Sequence, residues 1–422
     1  MSATMKEGMA PVGGDETSLP TGLQLTALDE AFRNDPYPIL HRLRSVEPIH
    51  RDRALQRWFV TSHDAAREVL RDKDLSSDLR NAGPGSYMDR VGTNAAASAM
   101  AILLESMIFK DDPDHRRLRA LLSKAFSPKA VAELRPRIRT NVSELLDTIT
   151  DAHFDVVEAY SDPLPVIVIS DMMGVKHELR ATFKTWSEDV TSGFFNPLKD
   201  KEKTERGARA IRALNDYFME VIQSRRRKPD NDLISLLVTA SEADERMTDD
   251  EIVAQCDLVL IAGNITTSDL IANSLKALLE HPDQLEALRE EPELIANAVE
   301  EVLRYESSVT QAHRTVMADT SIAGCPMHKG DTIALSLAGV NRDPQANPNP
   351  HAFDIRRTDI RHQSFGGGKH LCLGAHLARV EAQEAVLGIV QRFPKLTLVD
   401  QAFEYRPVPG FRALQQLWVS RE

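Results

Sequence analysis

The residues best suited to chemistry fall in one short run, SFGGGKHLCLGAHLAR, Ser364 to Arg379. One of only three cysteines, Cys372, stands there behind Gly366-Gly367-Gly368 and the pair Lys369-His370. Two phosphate-binding readings fail on spacing. A Walker loop needs Ser or Thr after Gly-Lys, where this chain has His370, and an earlier glycine where it has Gln363. A dinucleotide fingerprint beginning at Gly366 needs glycine at the position of Leu371. A zinc site built from His370, Cys372 and His376 lacks a second cluster to complete it. What remains is a thiolate delivered to a metal. The segment after Cys372 is helical by pattern, and a cysteine at a helix start sits in a positive field that lowers its pKa. Glycines before it let backbone N–H groups turn towards the sulfur, and Gly374 lets the helix approach a flat ring closely.

Three further constellations carry charge or hydroxyl chemistry. Thr266 follows Ala262 by four residues, so its hydroxyl can bond that carbonyl within a helix and loosen it beside Gly263. Glu301 and Arg304 have the i, i+3 spacing of an ion pair on one helix. His115 and Arg119 are four apart, share a helical face, and can both point at an anionic edge.

The elements that must position these groups are mostly helices. Thr248 with Glu251 has capping-box spacing and Met247 with Ile252 that of a hydrophobic staple. The pattern then runs free of proline to His281-Pro282, and its middle, LVLIAGNITT, is apolar on every side, so it should be buried. A second helix is predicted within Glu293 to Glu306, with Leu294, Ile295, Ala298, Val299, Val302 and Leu303 on one apolar face. Strands are predicted at Arg57 to Ser62, before a helical pattern at His63 to Asp72, and around Ser321 and Thr332. The resulting fold class is mainly α with small β-sheets. A mobile tail of residues 1–22 precedes a single large domain at 23–422 with a long buried central helix.

Bulk properties exclude several classes. A net charge of -12 argues against a general nucleic-acid binder. Three scattered cysteines do not make a disulfide framework, which suits a reducing cytoplasm. The N-terminus has no apolar signal region, and a membrane-spanning segment is not expected.

The run from Phe365 to Gly374, FGGGKHLCLG, resembles the haem-binding sequence of the cytochrome P-450 superfamily, above all its soluble bacterial members. Matching order extends from about residue 30 to the C-terminus, through Asp112 to Arg119, Arg314, Asn341-Arg342-Asp343-Pro344 and Phe353-Asp354. The resemblance implies that Cys372 is the iron ligand of haem b, with Phe365 beside it and Gly366 and Gly374 in the cofactor loop. His370, His115, Arg119 and Arg314 would meet the haem propionates. Glu301 and Arg304 would form a structural core pair. Ala262 and Thr266 look like the oxygen-binding motif, with Thr266 and Asn264 managing protons through water. A thiolate ligand pushes electron density towards O–O cleavage, so the implied reaction is insertion of one oxygen atom of O2 into a hydrophobic small molecule. Electrons would come from a separate [2Fe–2S] ferredoxin and its NAD(P)H-dependent reductase. The docking cations would be Arg117, Lys124 and Lys369.

Two positions depart from the family pattern. Ile265 stands where Asp or Glu usually precedes the threonine, and an isoleucine transfers no proton. Ala352 stands where an arginine often precedes Phe353, leaving Arg356 or Arg357 to pair with Glu301. Substrate would meet Ile261, Ile265, Val309, Thr310, Ala413, Leu414, Phe194, Phe195 and the loop from Tyr87 to Ile108. Peroxide-driven oxidation, coupling or rearrangement, and a haem-thiolate sensor without turnover, stand as alternatives.

Overall fold

The longest helix, Asp249–Glu280, has 32 residues and crosses the molecule, about 48 Å at 1.5 Å per residue. It begins where local chemistry directs. Thr248 caps it by accepting from Glu251 N, and the Glu251 carboxylate accepts from Thr248 N in return, completing the capping box. It ends at His281, before Pro282 opens the next helix. This is the one helix among the described residues long and apolar enough to cross a membrane, and most of it is buried in the protein core.

The computed structural model describes residues 19–86, 88–91, 99–196, 198–239 and 247–422. Most of the expected tail, residues 1–18, lies outside these, as do Tyr87 and 92–98 of the loop offered as a substrate wall. Residues 19–22 are docked rather than loose. Thr21 Oγ1 and Gly22 N both donate to the buried Asp52 carboxylate, at 2.7 and 2.9 Å.

Pro163–Met173, Arg180–Phe194, Lys201–Arg227, Ile295–Tyr305 and Ala375–Arg392 pack against the long helix, and Pro128–Thr148 packs on the last of these. A five-stranded sheet lies to one side. Its order is Ile49–Asp52, Arg57–Val60, Thr332–Ser336, Gln311–Val316 and Leu75–Ser76. Only the Arg57–Val60 and Thr332–Ser336 pair is parallel, with Phe59 opposite Ala334. The strand predicted around Ser321 is Thr320–Ile322, in a two-stranded ribbon with Cys325–Met327. The fold is mainly α with small sheets, as the pattern predicted.

Two glycines report on packing that sequence alone concealed. Gly368 has φ +62°, and a Cβ there would lie 2.1 Å from Leu70 O, at the end of the helix His63–Arg71. Gly368→Ala therefore combines left-handed strain with a backbone clash, and should destabilise by roughly 1–3 kcal/mol as overpacking does. A lower denaturation midpoint at unchanged slope would show it. Gly263 does not widen the helix beside Thr266 as expected. Its missing Cβ is replaced by Ile169 Cδ1, 2.9 Å from where that atom would be, so this glycine seats the helix Pro163–Met173.

Candidate functional site

The Cys372 loop is anchored by the Glu301 helix. Arg304 donates to Glu301 from Nε and Nη2, both at 2.7 Å, and both side chains are fully buried. Arg304 also donates to the carbonyls of Pro350 and Ala352. The arginine missing at position 352 is replaced by Arg357, whose Nε lies 3.2 Å from Glu301 Oε2. Arg356 pairs with Glu291 instead. Asn341 then joins the end of this helix to the loop. Its Nδ2 donates to Leu303 O and Ser364 Oγ, and its Oδ1 accepts from Gln363 N at 2.7 Å. Cys372 N donates to Phe365 O at 2.9 Å, closing the loop before the helix Ala375–Arg392.

Cys372 is accessible, and it lines a cleft of about 780 Å³ with Phe365, Gly366, Leu371, Arg119 and Arg379. Its thiol differs from the expectation of a lowered pKa. Burial pushes it up, and this outweighs the Gly374 N–H and the charges of Arg119 and Arg379, which act downwards. Such a sulfur gives up its proton on binding a metal. A Cβ on Gly374 would meet no protein atom within 4 Å, so that surface is open to another group. Among the described residues no three His, Cys, Asp or Glu side chains gather as a metal cluster, which removes the zinc reading.

On the same side, Glu300 accepts from Arg379 Nε and Nη2 and is hydrogen-bonded to His362 Nε2. Burial raises its carboxyl, yet Arg379 and His362 prevail and hold it at about 2. Arg379 also lies over the Phe365 ring at 4.5 Å. Sequence reasoning missed this bracket, although Glu300 stands beside Glu301 and is turned about 100° from it on the helix.

His115, Arg119, Arg314 and His370 do converge. The His115 and His370 rings are 4.1 Å apart. Burial lowers His370 first, and Arg314, His115, Lys369 and Arg119 add their repulsion, bringing it to about 2. Burial likewise lowers His115, and brings Arg314 down to about 10. The carboxylates nearby are Asp111, 3.4 Å from Lys369, and Asp112, 3.6 Å from His115. His370 Nε2 is buried without a hydrogen-bond partner among the described atoms. The cations Arg119, Arg314 and Lys369, with the neutral imidazoles of His115 and His370 between them as donors, fit the carboxylates of a bound anion. The residues present suit a haem, with Cys372 for the iron and this cluster for the propionates.

The long helix turns one stripe to open space. Ala262 is exposed in its middle and Ile261, Ile265 and Thr266 are half-buried, whereas Thr267 to Leu270 are buried. Thr266 Oγ1 donates to Ala262 O at 2.7 Å, as its spacing predicted. Asn264 does not join it. Two residues away, it falls on another side of the helix and is buried there.

Val309 and Thr310 are half-buried and held by the loop around residue 410 through the Val309–Phe411 bridge and a bond from Thr310 N to Gly410 O. Leu414, offered as a wall, is instead a core residue, 1% exposed, bridged to Tyr405. Ala413 is buried too. The missed residue is Phe411, half-buried and 5.3 Å from Phe195 by ring centroids. Phe195 contacts Phe194 at 5.1 Å, and Phe194 stacks on Phe109 at 5.5 Å, so four rings form one apolar line.

Of the three expected docking cations, Arg117 is engaged elsewhere, 2.5 Å from Glu251 and 3.2 Å from Asp114. Lys369 is tied to Asp111, and Lys124 has a partner of its own.

Comparison with known proteins agrees with this geometry. Residues 57–404 match the family model described as Cytochrome P450. The chain is 39% identical over 400 residues to the "Biotin biosynthesis cytochrome P450" of Bacillus subtilis, covering 94% of this chain and 98% of that protein. It is 38% identical to "Cytochrome P450 monooxygenase PikC" of Streptomyces venezuelae, with 95% and 94% covered. Among solved structures, P450BioI in complex with an acyl carrier protein ligated to hexadec-9Z-enoic acid superposes with a TM-score of 0.85 at 36% identity, covering 93% of this chain and 100% of that one. With a family model matched over most of its length and relatives matched nearly end to end, this chain belongs to the cytochrome P450 family and is an oxidoreductase.

Proposed function

We propose that this chain is a haem-thiolate monooxygenase in which Cys372 ligates the iron of haem b. In the overall reaction a C–H bond, O2, two protons and two electrons give an alcohol and water. Bound haem supplies the binding and activation of dioxygen. The polypeptide does the rest. His115, Arg119, Arg314 and His370 hold the carboxylates, the Cys372 loop fixes the sulfur, and Thr266 Oγ1 handles protons on the opposite side beside Ala262. The line Phe109, Phe194, Phe195 and Phe411, with Ile261, Ile265, Val309 and Thr310, surrounds a hydrophobic small molecule and excludes water. The observation that carries this reading is the convergence of His115, Arg119 and Arg314 on His370, whose buried Nε2 has no hydrogen-bond partner among the described atoms, next to an accessible cysteine.

Electrons come from a [2Fe–2S] ferredoxin, reduced by its NAD(P)H-dependent reductase and docked over the cleft at Cys372. With Arg117 withdrawn, Arg67 and His376 on the rim of that cleft, beside the exposed Leu371, are the better contacts. Three scattered cysteines with no disulfide between them suit a reducing cytoplasm.

The test is the carbon-monoxide difference spectrum of the reduced protein, which should show the long-wavelength Soret band of a thiolate-ligated haem. Ferredoxin-driven turnover should fall steeply as salt is raised, because exposed charges are screened within about 10 Å at 0.1 M. Salt-independent turnover would remove the docking surface. Ile265 favours one second reading, a peroxide-driven oxidation, and comparing peroxide with ferredoxin plus NAD(P)H separates the two.

A further inference from the structure

The proposed reaction consumes two protons, yet Ile265 carries none and Asn264 lies off the Thr266 face. The long helix holds an acid one turn further on. Asp269 follows Thr266 by three residues and Ile265 by four. At 3.6 residues per turn it falls between them around the helix, about 4.5 Å further along than Thr266. Asp269 is 4% exposed, and its Oδ2 has no hydrogen-bond partner among the described atoms. A buried carboxyl in that state needs a reason.

A line of charged groups leads from Asp269 to solvent. Its electrostatic neighbours are Arg406, Asp162 and Glu188. Arg406 lies 3.2 Å from Asp162 and 3.7 Å from Glu188, and Lys184 lies 3.0 Å from Asp162. The Glu188 side chain is 40% exposed and that of Asp162 only 6%, so the line begins at the surface and ends inside. These groups come from each neighbouring element: the start of the helix Pro163–Met173, the helix Arg180–Phe194, and the loop at Arg406.

We propose that Asp269 supplies protons to the oxygen-binding side through Thr266, replenished from solvent by way of the Glu188 and Asp162 carboxyl groups, which the Arg406 cation holds together. This rests on the monooxygenase reading above. Thr266 Oγ1 gives its hydrogen bond to Ala262 O, which leaves its lone pairs to accept from the Asp269 side. One water spans the remaining gap. In the transfer the Asp269 O–H bond breaks and Thr266 Oγ1 receives that proton, while its own O–H turns away from Ala262 O and gives its proton to the reduced oxygen on the oxygen-binding side, leaving Asp269 a carboxylate. Glu188 in its acid form then gives a proton to the Asp162 carboxylate, which passes one on to the Asp269 carboxylate, while Arg406 keeps its charge throughout. No electrons move in this relay, and it runs twice per product. Burial favours the neutral acid at Asp269 and raises Glu188 as well, which suits both to hold a proton.

The test is Asp269→Asn in the haem-loaded enzyme. Ferredoxin-driven product formation should fall about a hundredfold, the low end for a positioned proton donor, with a larger solvent deuterium isotope effect. Peroxide-driven product formation should persist, since peroxide brings its own protons. The protonated-carboxyl C=O stretch in the infrared spectrum should lose one component, a readout independent of turnover. Asp257→Asn, which removes another buried acid away from the oxygen-binding side, should lose a component without losing turnover. Adding Ile265→Glu to Asp269→Asn should restore coupling. An equal loss with peroxide and ferredoxin would make Asp269 merely structural, and an unchanged infrared band or unchanged turnover would overturn the relay. Absence of the carbon-monoxide band in the unaltered protein would instead sink the monooxygenase reading itself.

Discussion

Cys372→Ser should abolish oxygenation and erase the long-wavelength carbon-monoxide band, while far-ultraviolet circular dichroism stays unchanged. The loop around the residue is held by other groups: Asn341 to Gln363 and Ser364, and the Cys372 backbone N to Phe365 O. None of these involves the sulfur, so serine should be accommodated without refolding the loop. What changes is the donor. A thiolate is soft and electron-rich, whereas a serine hydroxyl keeps its proton and binds iron weakly. The cationic cluster survives the change and can still hold the cofactor's carboxylates. Some haem uptake with an altered spectrum is therefore compatible with the proposal. An unaltered spectrum is not.

Glu301→Gln should be the most destabilising single change considered. It leaves the Arg304 and Arg357 guanidinium groups facing a neutral amide where nothing else replaces the charge. Breaking a buried pair by removing one partner costs about 3–5 kcal/mol. Against a total stability of about 5–15 kcal/mol, that is enough to lower the denaturation midpoint strongly or to prevent accumulation of folded protein. Arg357→Ala should cost less, because Arg304 still reaches both carboxylate oxygens. Equal midpoints for Glu301→Gln and the unaltered protein would show that the pair contributes nothing net.

Legibility from sequence followed the range of the interactions. The start of the long helix was readable because Thr248 and Glu251 settle it within four residues. The Thr266–Ala262 bond was readable for the same reason. The cysteine loop was readable because its whole pattern is contiguous. Gly263 was misread because its partner, Ile169, is remote in the chain. The choice between Arg356 and Arg357 was hidden because it depends on how the loop folds back to offer the carbonyls of Pro348, Asn349 and Ala352 to Arg357. Leu414 was misplaced because the segment near Tyr405 turns it inwards and leaves Phe411 at the opening. The raised Cys372 thiol reflects the protein atoms gathered around the cleft it lines, a property of the assembled protein that no helix-start argument contains.

Phe195 and Phe411, neighbours in the aromatic line, are fastened very differently. Next to Phe411, the Arg412 guanidinium pairs with buried Glu306, donates to Arg33 O at 2.8 Å, and lies on the Tyr405 ring at 3.8 Å, while Arg412 O accepts from Asn273. That end is bolted to three distant parts of the chain. Phe195 terminates its helix, and the bonds of the following corner are local, from Asn196 to Asp200 and Thr204. Truncating Arg412 should therefore disturb Phe411 together with several remote segments, whereas truncating Asn196 should disturb only contacts close to it in the chain.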